Sequence, residues 1–81
     1  MVKTDCLNEA IKSAGLRKDS IAASLGISKQ SLSNKINNKT EFKAGESNWL
    51  RKTLNLSSER FVGIFFADEY DSKSYLENAH V

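Results

Sequence analysis

The chain has 81 residues, a net charge of +2, one cysteine and one histidine. That is enough for one small domain with a modest core, and it excludes an internal disulfide framework or a Cys/His zinc site. Residues 1–53 hold ten Lys/Arg against five acids (+5), and residues 54–81 hold two against five (−3). A basic body with an acidic end points to a polyanionic partner for the body.

Leu7, Ala10, Ile11 and Ala14 are spaced i, i+3, i+4, i+7 and predict a first helix over roughly 4–14. Thr4 or Asp5 is placed to cap it, Gly15 to end it, and Cys6 reads as a small, semi-buried hydrophobe. KDSIAASLG, from Lys18, carries a short stripe of Ile21, Ala22 and Leu25 and stops at Gly26.

The next stretch, SLGISKQSLSNKINNKT (24–40), has the Ser and Asn content of a loop, because these side chains compete for backbone hydrogen bonds. Leu32 and Ile36 nevertheless share a face, Ser28 is a good N-cap, and Ile27 and Leu32 have hydrophobic-staple spacing. A helix over about 29–37 follows, with Lys29, Gln30, Ser33, Asn34 and Asn37 on its polar side. Asn37 and Asn38 can terminate it, since Asn tolerates the left-handed region.

Leu50 and Leu54, with Trp49 beside them, predict a fourth helix over 45–54. Residues 61–66 are rich in Phe, Val and Ile and suit a strand as well as a helix, but Ser57, Ser58 and Glu59 fit a helix start. Residues 67–81 read as a polar, acidic tail, with room for one further turn around Tyr75 and Leu76. MVKTDCLNEA has no apolar h-region, and FVGIFFA at 61–67 is far below the about 20 residues a bilayer span needs, so neither a secretory leader nor a membrane anchor is expected.

Helix, tight turn at Gly26, second helix is the spacing of a helix-turn-helix unit. KDSIAASLGISKQSLSNKINNKT resembles the helix-turn-helix of the Cro/repressor (XRE-type) family of small phage and bacterial transcription regulators. Ala22, Gly26, Ile27, Leu32, the SKQS start of the second helix and the NNKT loop after it carry the likeness. It extends over roughly residues 4–65, and LNLSSERFVGIFFAD is most like Cro-type repressors from phages of Gram-positive bacteria.

The resemblance implies an all-α, lambda-repressor-like fold of five short helices, with a DNA-binding domain at 1–66 followed by the acidic tail. It implies a cytoplasmic protein of a bacterial host cell that binds double-stranded operator DNA. Carried over by position, Lys29, Gln30, Ser31, Ser33 and Asn34 would contact base edges. Arg17, Lys18, Ser28, Asn37, Lys39 and Thr40 would contact phosphates. The chemistry suits these roles. Gln and Asn carboxamides pair with adenine N6/N7, Lys reaches guanine O6/N7, and this helix has no acid to repel phosphate. One position departs from the family, which commonly has an apolar residue where this chain has Lys35. Ile36 looks like the replacement, which predicts a rotated or irregular end to the helix.

A chain this short can hardly bury Phe42, Trp49, Phe61, Phe65 and Phe66 together. Some of these aromatics are therefore expected at a homodimer interface, which would also double the number of bases read. The competing reading keeps the fold and makes it an antitoxin-like or anti-repressor-like protein-interaction module. No nucleophile triad, carboxylate pair or phosphate-cradling Gly loop stands out. No catalysis, cofactor, metal or small-molecule ligand is expected.

Overall fold

The computed structural model describes residues 1–67. It contains five α-helices in chain order: α1 Thr4–Ser13, α2 Lys18–Leu25, α3 Lys29–Ile36, α4 Ala44–Thr53 and α5 Ser58–Phe65. Among the described residues there is no strand, so 61–65 is helical, and no helix is long and apolar enough to cross a membrane. The expected tail, including the turn around Tyr75 and Leu76, lies outside the described residues except for Ala67, which is buried.

One device ends four of the five helices. Gly15, Gly26, Asn38 and Asn55 all have left-handed φ, at 72°, 72°, 66° and 54°. At each, the next residue's N–H reaches back across the last turn: Leu16 to Ile11, Ile27 to Ala22, Lys39 to Asn34 and Leu56 to Arg51. These are Schellman closures, which satisfy the orphan carbonyls of a helix end and reverse the chain sharply. A chain without proline stops its helices this way.

The helix starts are less uniform. Ser28 Oγ accepts from the Ser31 N–H at 3.0 Å, and Ser57 Oγ accepts from the Arg60 N–H at 3.2 Å, as the sequence predicts. α4 is held from the other side, with the Glu46 carboxylate accepting from the Lys43 N–H at 2.9 Å. Neither Thr4 nor Asp5 caps α1. Both are already inside the helix, and Lys3 precedes it without a side-chain cap bond. The Thr4 hydroxyl instead donates to the Ile36 carbonyl at 2.7 Å, across to the end of α3.

Leu7, Ile21, Leu32, Ile36 and Leu50 are the most deeply buried side chains. They join Ala10, Ile11, Ala22, Leu54, Leu56, Ile64 and Phe65 in one core. α3 lies against α2 and α1, and α5 closes against α1. Ala22, at 3% exposure, is small enough to let α3 cross α2 closely. Ala14 and Cys6, both placed on or near the buried stripe by the sequence reading, are exposed. Cys6 lies one residue before Leu7, on the solvent side of α1, and the buried stripe ends at Ile11.

The aromatic residues divide as volume dictates. Among the aromatic residues described, only Phe65 is buried. Phe42, Trp49 and Phe61 are half-buried, and Phe66 is 42% exposed. Phe42 and Phe65 meet edge to face with centroids 5.5 Å apart, and Phe65 packs on Phe61 at 5.0 Å. The Arg51 guanidinium lies 5.5 Å over the Phe61 ring and also donates to Ser58 Oγ, tying α4 to α5.

Candidate nucleic-acid interface

α3 is the helix to which the family resemblance would assign base contacts. Its inward residues are Leu32, Lys35 and Ile36. At about 100° per residue, Gln30, Asn34 and Asn37 lie diametrically opposite, with Ser33 and Ser31 on the two flanks. Gln30 and Asn37 are exposed, Asn34 and Ser33 half-exposed. Ser31 is half-buried and marks the edge of the face.

The outward amides are ordered before any partner arrives. Gln30 Nε2 donates to Asn34 Oδ1 at 3.0 Å, and Asn37 Nδ2 reaches Ser33 Oγ at 3.4 Å. The first bond leaves Gln30 Oε1 as an acceptor and the Asn34 amide protons as donors, a pairing that matches the N6–H and N7 of adenine.

The basic positions surround this face. Arg17 and Lys18 lie at the start of α2, Ser28 and Lys29 at the start of α3, and Lys39 and Thr40 in the turn after α3. All six are exposed. The Ser28 hydroxyl oxygen is already engaged as the cap of α3.

Two features are not visible from spacing. First, the face is not free of acid. Asp19 of α2 accepts from Lys29 at 3.1 Å and lies 3.9 Å from Arg17. These groups are more than half exposed, so water and salt screen the pairs and their worth is conformational rather than energetic. Asp19 thereby sits between a cation at the start of α2 and one at the start of α3.

Second, the end of α3 is regular, contrary to the rotation expected from Lys35. Ile36 is buried to 1% exposure and Lys35 to 7%, so both slots face inward. Lys35 lays its aliphatic stem against the core, and its ammonium donates to Glu46 at 2.8 Å and to the Glu41 carbonyl at 3.3 Å. Burial pushes the Glu46 carboxyl up. The hydrogen bonds from Lys35 and the Lys43 backbone, with the two positive charges, outweigh it and hold the group below its usual value. An ion pair thus replaces an apolar contact and pins α3 to α4. The missed signal was local: Glu46 stands three residues after Lys43, at the capping position of α4, which brings a carboxylate inward.

The loop after α3 has its own anchor. The Val2 N–H donates to Asn38 Oδ1 at 2.9 Å and Asn38 Nδ2 donates to the Val2 carbonyl at 3.0 Å. The Lys3 N–H donates to the Ile64 carbonyl at 2.7 Å. The N-terminal segment therefore bridges the end of α3 and the end of α5. Beside it a cleft of about 190 Å³ opens, lined by Val2, Lys35, Asn38, Phe42 and Phe66 among others.

No family model, curated protein or solved structure matches the chain. The functional reading therefore stands on these residues and their arrangement.

Proposed function

We propose that this chain is a sequence-specific DNA-binding transcription regulator. In this reading it is a Cro-like repressor of a phage or prophage, working in the bacterial cytoplasm as a homodimer on a pseudo-palindromic operator. The observation that carries the reading is the α2–Gly26–α3 unit. Its outer helix presents Gln30 and Asn34, already hydrogen-bonded to each other, opposite a fully packed inner face.

The roles follow from the chemistry. α3 enters the major groove, where Gln30, Asn34 and Lys29 meet base edges, with Ser33 and Ser31 at the margins. Arg17, Lys18, Ser28, Asn37, Lys39 and Thr40 face the phosphates on either side and set orientation rather than sequence. The exposed N–H groups opening α2 and α3 add donors for phosphate. Repression follows from occupancy: a dimer covering the operator excludes polymerase or a rival regulator.

A second reading, a protein-interaction module on the same fold, draws on the exposed Val62 in α5 and the exposed Phe66 just after it. Binding of a random duplex at low and high salt separates the two, because only phosphate contact makes affinity fall steeply with salt. Gln30→Ala then tests the base-reading role. It is expected to lower affinity for the preferred sequence by about 1–3 kcal/mol while leaving random-duplex affinity unchanged. Equal binding of preferred and random DNA by variant and wild type would overturn the assignment.

A further inference from the structure

Asn38 is the one residue of the 37–40 loop that turns inward: Asn37, Lys39 and Thr40 are exposed, and Asn38 is half-buried. Its φ of 66° closes α3. A glycine would serve that purpose at less conformational cost, and glycines do so after α1 and α2. What glycine lacks is the carboxamide. Asn38 uses both ends of it on Val2, at 2.9 and 3.0 Å, in the manner of a neighbouring β-strand. Two residues on, the Thr4 hydroxyl donates to the Ile36 carbonyl at 2.7 Å. The same segment holds the end of α5 through the Lys3 N–H and the Ile64 carbonyl. The loop is thus strapped to the body by contacts more than thirty residues apart in sequence.

We propose that Asn38 is a positioning residue for DNA: by clamping the N-terminal segment it fixes the direction in which Lys39, and Asn37 before it, present their side chains to the phosphate backbone. The inference rests on the DNA-binding reading and adds a residue that makes no DNA contact of its own. Phosphate contacts require side chains aimed along a fixed line, and a loop tied only to α3 itself, through the Lys39 and Thr40 N–H groups on the Asn34 carbonyl and the Lys35 ammonium on the Glu41 carbonyl, can swing with the end of that helix. The clamp removes that swing without engaging Lys39.

The test is Asn38→Gly, which keeps the left-handed turn and removes the bridge to Val2 together with the longer contact from Asn38 Nδ2 to Thr4 Oγ1 at 3.4 Å. Affinity for a short random-sequence duplex is measured over a range of salt, at a temperature where circular dichroism shows variant and wild type equally folded. The expected result is a loss of about 3- to 10-fold at low salt and a slope of log affinity against log salt shallower by about 1, the signature of one lost phosphate contact. Lys39→Ala is expected to produce the same shift alone and none on top of Asn38→Gly. A wild-type slope in Asn38→Gly, or an undiminished Lys39→Ala effect in that background, overturns the proposal while leaving the DNA-binding reading intact. A wild-type chain without salt-sensitive affinity overturns both.

Discussion

Replacing Lys35 by Met probes the contact that joins α3 to α4. Met follows the path of the lysine stem and fills nearly its volume, so the core is left without a large void. What disappears is the ammonium, with its bonds to Glu46 and to the Glu41 carbonyl. The Glu46 carboxylate, only 12% exposed, keeps the Lys43 N–H as its hydrogen-bond partner. Removing one member of a fully buried pair costs about 3–5 kcal/mol. The remaining bond and the residual exposure reduce that here to about 2–3 kcal/mol, a large part of the ~5 kcal/mol stability a domain of this size has. Urea denaturation followed by the fluorescence of half-buried Trp49 reads the change. Glu46→Gln in the Lys35→Met background retains the acceptor for the Lys43 N–H and removes the stranded charge. It is expected to restore at least about 1 kcal/mol.

The dependence on pH sharpens the test. Glu46 titrates below its usual value of 4.5 in the folded chain, so its contribution is present above that value and fades as pH falls through the depressed one. In Lys35→Met the same carboxyl is left with burial and loses its closest cation. Its pKa rises, and the deficit relative to wild type is largest at neutral pH and shrinks toward pH 4. A Lys35→Met protein within ~0.5 kcal/mol of wild type at pH 7, or a deficit that grows on acidification, would refute the reasoning.

Two further perturbations address the unit that presents the candidate DNA face. A Cβ at Gly26 would touch nothing within 4 Å, so Gly26→Ala isolates the left-handed backbone at φ 72° and is expected to lose about 1–2 kcal/mol in denaturant unfolding. A loss under ~0.3 kcal/mol would mean the turn relaxes freely. Ser28→Ala removes the cap of α3 and is expected to cost about 1 kcal/mol, with earlier amide exchange at Ser31 as the local sign. Unchanged protection of that amide would rule the cap out.

Much of this was legible in the chain. Apolar spacing located α1, α3 and α4 to within a residue or so, since Leu32 with Ile36 and Leu50 with Leu54 leave little freedom of phase, whereas 61–66 suited a strand equally well and only the Ser57–Glu59 start favoured the helix that forms there. Gly15, Gly26, Ser28 and Ser57 announced their boundaries because each residue type answers a specific need of a helix end. The exposure of the α3 polar face followed from the same phase. What spacing could not show are partners distant in sequence. Asp19 meets Lys29 only because α2 and α3 cross, and Val2 meets Asn38 only because α1 returns the N-terminus to the end of α3. For Lys35 the capping spacing of Lys43 and Glu46 is legible locally, but the meeting of that carboxylate with α3 is not. The position of Lys35 marked it as a break in the apolar pattern, and the carboxylate that resolves the break stands eleven residues away on α4. Thr4 shows the reverse case, a residue with cap chemistry whose hydroxyl goes to another helix.

Selection of bound DNA from a pool of random duplexes tests the central claim most directly, because it asks whether the α3 face reads sequence at all. The account predicts enrichment of two inverted half-sites, each containing an adenine opposite the Gln30–Asn34 pair, with centres about one helical turn, 10–10.5 base pairs, apart or a multiple of it. Repeated selection that enriches no motif, with recovered DNA bound no more tightly than the starting pool, would contradict it.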